Sequence, residues 1–249
     1  MSGHSKWSTI KHQKGVADAK RGQLFTKLAR EISVAVRQGG ADTQANFKLR
    51  LIMQKARDNN MPLENIDRAI RRASGGTDGA ALSEVTYEGY GPGGSAILAQ
   101  ALTDNKNRTL SEVRNILSRG GGNLGESGSV TWLFESRGVI IIDGTKENAE
   151  EVALFAIDAG AEDVKIEGTS LEVNTKPQDL EAVRKALELK KVPISSSELS
   201  MVPKTIVKLD EKSALQALKL LDKLEELDEV QHVYTNADFP DDVVGKYQG

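Results

Sequence analysis

Apolar positions recur at helical spacing through the first third of the chain. Over 18–38, Leu24, Leu28, Ile32 and Ala35 form one stripe, with Lys27, Arg30 and Arg37 on another face. Gly39-Gly40 supplies a left-handed stop. A second helix, capped by Asp42 or Thr43, carries Leu49, Ile52, Met53 and Ala56 at i, i+3, i+4 and i+7 and stops at Asn59-Asn60. Pro62 opens a third, in a first turn where its missing N–H costs nothing. There Leu63, Ile66, Ala69, Ile70 and Ala73 are expected inward and Arg68, Arg71 and Arg72 outward. Short connections make this a compact three-helix unit.

Beyond SGGTDGAALS (74–83), a linker by composition, the period shortens. SEVTYEG alternates as a strand, GYGPGG makes a turn-forming loop, and SAILAQALT is a buried strand. Thr109 and Glu112 form a capping box for a helix carrying Leu110, Val113, Ile116 and Leu117. Three glycines at 120–122 end it, and the loop NLGESGS leads to a strand VTWLFE, broken at Ser136-Arg137-Gly138. A strand VIIID, a helix 146–159, a hairpin across Gly168-Thr169, a helix opened by Pro177 and a strand near 192–202 follow. That β-α-β-β-α-β order is the ferredoxin-like pattern and is complete in itself. The strand KTIVKLD, the acidic helix 212–227 and the strand VQHVYTN would be orphaned alone, so they are expected to rejoin the sheet begun at 84. The fold class expected is α+β with three domains. A basic helical domain spans 1–76, and a discontinuous α/β domain spans 84–136 and 204–249. A ferredoxin-like domain, 137–203, is inserted in it.

Charge changes the picture. Residues 1–76 hold fifteen Lys and Arg against six Asp and Glu, a net +9, whereas the chain is −3, so the remainder carries −12. A basic head on an acidic body points to a polyanionic partner. Residues 1–20 lack periodicity and read as a basic arm with too few apolar groups to offset the entropy of ordering. Lys6, Lys11, Lys14 and Lys20 can neutralise phosphates, and Trp7 can stack on an unpaired base or, with Ile10, pin the arm to the helices. His4 and His12 lack companions at ligand spacing, so no metal is expected there. Lys27, Arg30, Arg37, Arg68, Arg71 and Arg72 are the candidate phosphate contacts of the helices, diluted by Glu64 and Asp67. A merely solvated face would mix signs more evenly.

Zero cysteines exclude disulfides and thiolate metal sites. No apolar run approaches a membrane span and no secretory h-region is present, so a cytoplasmic protein is expected. Nucleotide-binding, metalloprotease and hydrolase signatures are absent, and no cofactor or small-molecule substrate is expected. GYGPGG lies between strands and does not open a helix, so it lacks the helix N-terminus that binds phosphate. It is nonetheless longer and richer in glycine than a hairpin needs. Tyr87, Tyr90, Gly91, Pro92, Gly93 and Gly94, with Asn105 and Arg108, are therefore a candidate second functional contact.

GHSKW (3–7), KHQK…DAKRGQLFTKLAREI (11–32), NMPLENIDRAIRRASG (60–75), YEGYGPGG (87–94), TDNKNRT (103–109) and GGNLGESGSVTWLFE (121–135) together resemble the YebC/PmpR family. That family includes the mitochondrial translational activator of cytochrome c oxidase subunit one. The resemblance implies a non-enzymatic, three-domain protein. The candidate nucleic-acid-binding set is Lys6, Trp7, Lys11, His12, Lys14, Lys20 and Arg21 alongside the helical cations. Bacterial members are assigned as DNA-binding transcriptional regulators; others are linked to ribosomes and to synthesis of proline-rich sequences. The third helix offers arginines and Asn65 but little else to read base edges. Ribosomal RNA is thus the favoured partner, duplex DNA the alternative, and a protein-interaction scaffold the third reading.

Overall fold

The structure, a computed structural model, describes residues 18–75, 82–143, 148–167 and 170–247. The expected arm contacts Lys6, Trp7, Lys11, His12 and Lys14 lie outside these residues, as does the Lys20 side chain.

The head consists of α1 (Asp18–Gly39), α2 (Phe47–Asp58) and α3 (Leu63–Ser74). Leu28, Ile32, Ala35, Leu49, Ile52, Ala56, Ile66, Ala69 and Ala73 bury against one another, the face that the 3.6-residue period marks. Gly40, at φ +79°, turns the chain after α1. Asn46 caps α2, where Asp42 or Thr43 was expected. Its Oδ1 accepts from the Leu49 N–H, and its Nδ2 donates to the carbonyls of Ala35 and Gly40. One buried amide thus satisfies groups at two helix ends, which Asp42 and Thr43 cannot reach. Leu63 is 58% exposed, not inward. Met61, just before the helix, takes the core position.

The body's first sheet contains β1 (Ser83–Tyr90), β2 (Ala96–Thr103), β3 (Asn123–Leu124) and β9 (Val230–Thr235), in the order β3-β1-β2-β9. Central β2 is buried on both faces, which is why SAILAQALT reads as an almost unbroken apolar run. Ile97, Ala99 and Ala101 meet α4 (Lys106–Arg119) and α7 (Glu211–Glu225), while Ala96 and Leu98 meet Val130, Phe134 and Tyr234. The predicted capping box at Thr109 and Glu112 is not used: Asn105 caps α4, and Thr109 is a buried first-turn residue hydrogen-bonded to Thr103.

The second sheet holds β4 (Phe134–Ile142), β5 (Asp163–Glu167), β6 (Ser170–Thr175) and β7 (Ile194–Pro203), ordered β5-β6-β4-β7. Helices α5 (Ala149–Asp158) and α6 (Leu180–Leu189) cover one face. Two expectations fail here. VTWLFE is not a strand ending at 135: residues Thr131–Leu133 form a 3-10 turn, and β4 runs unbroken through Ser136-Arg137-Gly138. A β-carbon on Gly138 would lie 2.3 Å from the Thr175 hydroxyl, so this glycine serves close packing within the strand and does not end it. KTIVKLD also does not rejoin the first sheet. Only β8 (Val207–Lys208) is extended, pairing in parallel with β10 (Ala237–Asp238) as the chain crosses to begin α7. Helix α8 (Asp241–Lys246) follows.

We propose that 137–203 is an autonomous insert, its two ends being neighbours in the β4–β7 ladder, where Arg137 pairs with Ser200 and Phe134 with Pro203. Joining 1–136 to 204–249 through a short Gly-Ser bridge is expected to leave one cooperative urea transition by circular dichroism. A broad, non-cooperative loss of signal would count against it.

Candidate nucleic-acid interface

The head's cations divide into two groups. Two of those on α1 that the sequence marked as phosphate contacts, Lys27 and Arg30, face the body. Lys27 Nζ donates to the Glu225 carbonyl, Arg30 to the Asp228 carbonyl, and Gln23 Nε2 to the Glu226 carbonyl at 2.6 Å. The Glu225 and Glu226 carbonyls lie at the C-terminal end of α7, where backbone acceptors lack intrahelical partners and the helix dipole is negative, and Asp228 lies in the turn just beyond it. Lys27 thus acts as a cap for a body helix and Arg30 meets the turn after it, so both are engaged with the body where the sequence pattern predicts phosphate contacts. Lys48 pairs with Glu84 at 2.9 Å, and Lys55 with Glu198 at 2.8 Å.

Lys55 belongs to a half-buried cluster in which His232 Nε2 lies 3.4 Å from Glu31. Burial pushes the Glu31 carboxyl up, but Lys55 and His232 outweigh it and hold the group below its ordinary value. Burial likewise disfavours the Lys55 ammonium, yet Glu198 and Glu31 raise its pKa. A cavity of about 290 Å³ adjoins this cluster, bounded by all three units through Glu31, Lys55, Glu198, Gln231 and Tyr234.

The second group faces solvent. Arg68, Arg71 and Arg72 project from α3, opposite Ile66, Ala69 and Ala73. Arg68 has an exposed bond to Glu64 at 3.2 Å, whereas among the described residues Arg71 and Arg72 have no ion-pair partner. Arg57, exposed near the end of α2, was not singled out in the sequence, where it sits among core positions of the same helix. Arg21 and Arg37 are exposed on α1. Solvent-facing guanidinium groups on one small helical unit suit phosphate oxygens, which they bind bidentately.

The expected second contact does not assemble as a unit. Tyr87 is a core residue, its hydroxyl donating to the Lys106 carbonyl. Gly91 and Pro92 are buried, so Tyr90, Gly93 and Gly94 alone of this loop reach the surface. Gly93 and Gly94 adopt φ of +69° and +76°, and a β-carbon on Gly93 would collide with Leu209. Asn105 caps α4, and Arg108 pairs with Asp104 and Glu229, each at 2.9 Å. Both lie at the far end of the β1–β2 hairpin, roughly 23 Å away at the usual strand rise.

What does gather at Tyr90 is the loop 125–133. The buried Glu88 carboxylate accepts from the N–H groups of Gly128, Val130 and Thr131, at 2.6, 2.8 and 2.8 Å. Burial raises the Glu88 pKa, but these three donors outweigh it and leave the group below its ordinary value. Tyr90 Oη and Trp132 Nε1 both donate to the Ser129 carbonyl, at 3.2 and 3.0 Å.

Among the described residues, no group of His, Asp and Glu is arranged to hold a metal ion, and no helix is long and apolar enough to cross a membrane.

Comparisons with known proteins place this arrangement. Residues 5–76 match the model of the TACO1/YebC protein N-terminal domain, and residues 82–237 that of the TACO1/YebC second and third domain. A probable transcriptional regulatory protein of Dehalococcoides mccartyi is 56% identical over 247 residues, covering 99% of this chain and 98% of the relative. Another so named, from Chloroflexus aurantiacus, is 54% identical over 250 residues, covering 99% of each. The crystal structure of a conserved hypothetical protein from Aquifex aeolicus superposes with a TM-score of 0.82 at 45% identity, covering 90% of this chain and 93% of that one. The basic helical head and the mixed body thus follow a shared plan, and the chain belongs to the TACO1/YebC family.

Proposed function

We propose that this protein is a non-enzymatic regulator of gene expression whose head binds the phosphate backbone of a nucleic acid. The observation that carries this reading is the solvent-facing Arg68, Arg71 and Arg72 set, on a head whose Lys27, Arg30, Lys48 and Lys55 are engaged with the body. The relatives are named probable transcriptional regulatory proteins, which favours the reading as a transcriptional regulator; its target on that reading is duplex DNA. The second reading is an RNA- or ribosome-associated translation factor that assists proline-rich sequences. It is favoured by the composition of α3, where arginines greatly outnumber side chains that read base edges.

Affinities for a promoter fragment, for unrelated duplex DNA and for a structured RNA of equal charge, measured at one salt concentration, separate these readings. The transcriptional reading expects the promoter fragment to be retained over competitor DNA. The RNA reading expects preference for structured RNA and nuclease-sensitive co-sedimentation with ribosomal particles. Partners retained after nuclease and high salt, with no affinity for any nucleic acid, would instead identify a protein scaffold.

A further inference from the structure

The surface beside Tyr90 carries an aromatic pair that the head's function does not use. Trp132 is 66% exposed and Tyr90 37%. An indole that open to water is unusual for so large an apolar group, and here its orientation is fixed. The indole N–H and the phenol O–H donate to a single acceptor, the Ser129 carbonyl. Their polar edges are therefore satisfied within the protein, and the ring faces remain for a partner. The loop beneath is rigid, because the Glu88 carboxylate holds three of its N–H groups. The exposed Lys204 donates to the Trp132 carbonyl at 3.2 Å, which sets an ammonium group at the backbone of the same residue. Glu126 is exposed on the same loop, at the opposite end of its turn from Trp132.

We propose that Trp132 and Tyr90, with Lys204, form a stacking site for unpaired bases of RNA, a second contact of the body with the nucleic acid held by the head. This rests on the nucleic-acid reading above and adds what the body recognises. Every base has a π face, so rings without free polar edges grip any base without choosing its sequence. Lys204 supplies the charge that an adjoining phosphate needs. Duplex DNA keeps its base faces stacked inside, whereas RNA displays them in loops, bulges and ends. A base-stacking site on a protein that holds phosphates elsewhere therefore fits RNA.

The test uses the full chain with Trp7→Phe, which leaves Trp132 as the sole tryptophan of the two. Two probes are compared: a blunt RNA hairpin and the same hairpin with a short single-stranded uridine extension. The extension is expected to tighten binding about five- to hundredfold and to quench Trp132 emission. Trp132→Ala and Tyr90→Ala should remove most of that gain while leaving affinity for the blunt hairpin unchanged, and Trp132→Phe should restore much of it. If Trp132→Ala binds the extended hairpin as tightly as the parent, the stacking site falls while the head reading stands. If the parent binds neither RNA, the stacking site falls, and the head reading falls with it only if duplex DNA is not bound either. An equal gain from a DNA hairpin with a thymidine extension would overturn the assignment to RNA. Emission unmoved by either nucleic acid would mark the rings as a protein-docking surface.

Discussion

Replacing Arg68, Arg71 and Arg72 together with Ala is expected to weaken nucleic-acid binding by about two to three orders of magnitude near 0.1 M salt. Each contact releases counterions condensed on the phosphate backbone, which is why the loss is large. The slope of log K against log salt should become shallower by about 2.7 for duplex DNA or about 2.1 for a single strand. The change in slope is thus a second indication of the target, independent of affinity. Stability should barely move, since the three side chains are exposed and Arg68 has only a solvent-accessible ion pair. A fluorescence-anisotropy titration at several salt concentrations gives both quantities. An unchanged slope would show that these guanidinium groups only solvate α3. Lys27→Ala is expected to act differently: it removes a cap from the end of α7, so it should loosen the head on the body more than it alters the salt slope.

Glu88→Ala is expected to cost about 3 kcal/mol of stability, the order of cost of stranding one buried and two part-buried backbone donors. For a chain of 249 residues, this amounts to a fall in Tm of roughly 6–12 °C. The carboxylate satisfies the N–H groups of Gly128, Val130 and Thr131, and among the described residues no other side chain accepts from those donors. Glu88→Gln should lie between, since its amide keeps one accepting oxygen but turns a donor toward the other N–H. The pH dependence has a definite sign. Glu88 has a folded pKa held below the unfolded value, so its contribution is complete above that unfolded value, about 4.3. It is lost as pH falls from there through the folded pKa. Wild type and Glu88→Gln should therefore converge in Tm at the acid end of a calorimetric series. A constant difference across pH would mean that the carboxylate's charge does not hold the loop.

The head was readable in the chain because its helices interact mainly through local, periodic contacts. Leu28, Ile32, Leu49, Ile52, Ile66 and Ala69 all occupy the core that their spacing marks. The mixed α/β character of the body was equally readable, from alternation in SEVTYEG, the two-face burial of SAILAQALT and the leucines of α7. The Arg68, Arg71 and Arg72 face follows from the same periodicity.

What tertiary structure alone decided was which polar group meets which over long sequence separations. Lys27 and Arg30 carry the same charge and helical setting as a phosphate contact would, but Glu225 and Asp228, each 198 residues away, present carbonyls to them. No local pattern encodes that meeting. Asn105 and Arg108 follow the strand after the glycine loop in sequence, yet that full strand separates them from it, and Arg108 turns to Glu229 instead. Trp132 shows the same limit at short range. Strict alternation would place it on one face with Val130 and Phe134, both buried, but the 3-10 turn at Thr131–Leu133 rotates it outward. That turn is set by Glu88, some forty residues earlier, whose carboxylate orders the backbone on either side of Ser129. Periodicity reports the neighbours along an element, so it located the cores. The pairing of backbone donors and acceptors across elements is a property of the assembled fold, and it determined which charged and aromatic groups face outward.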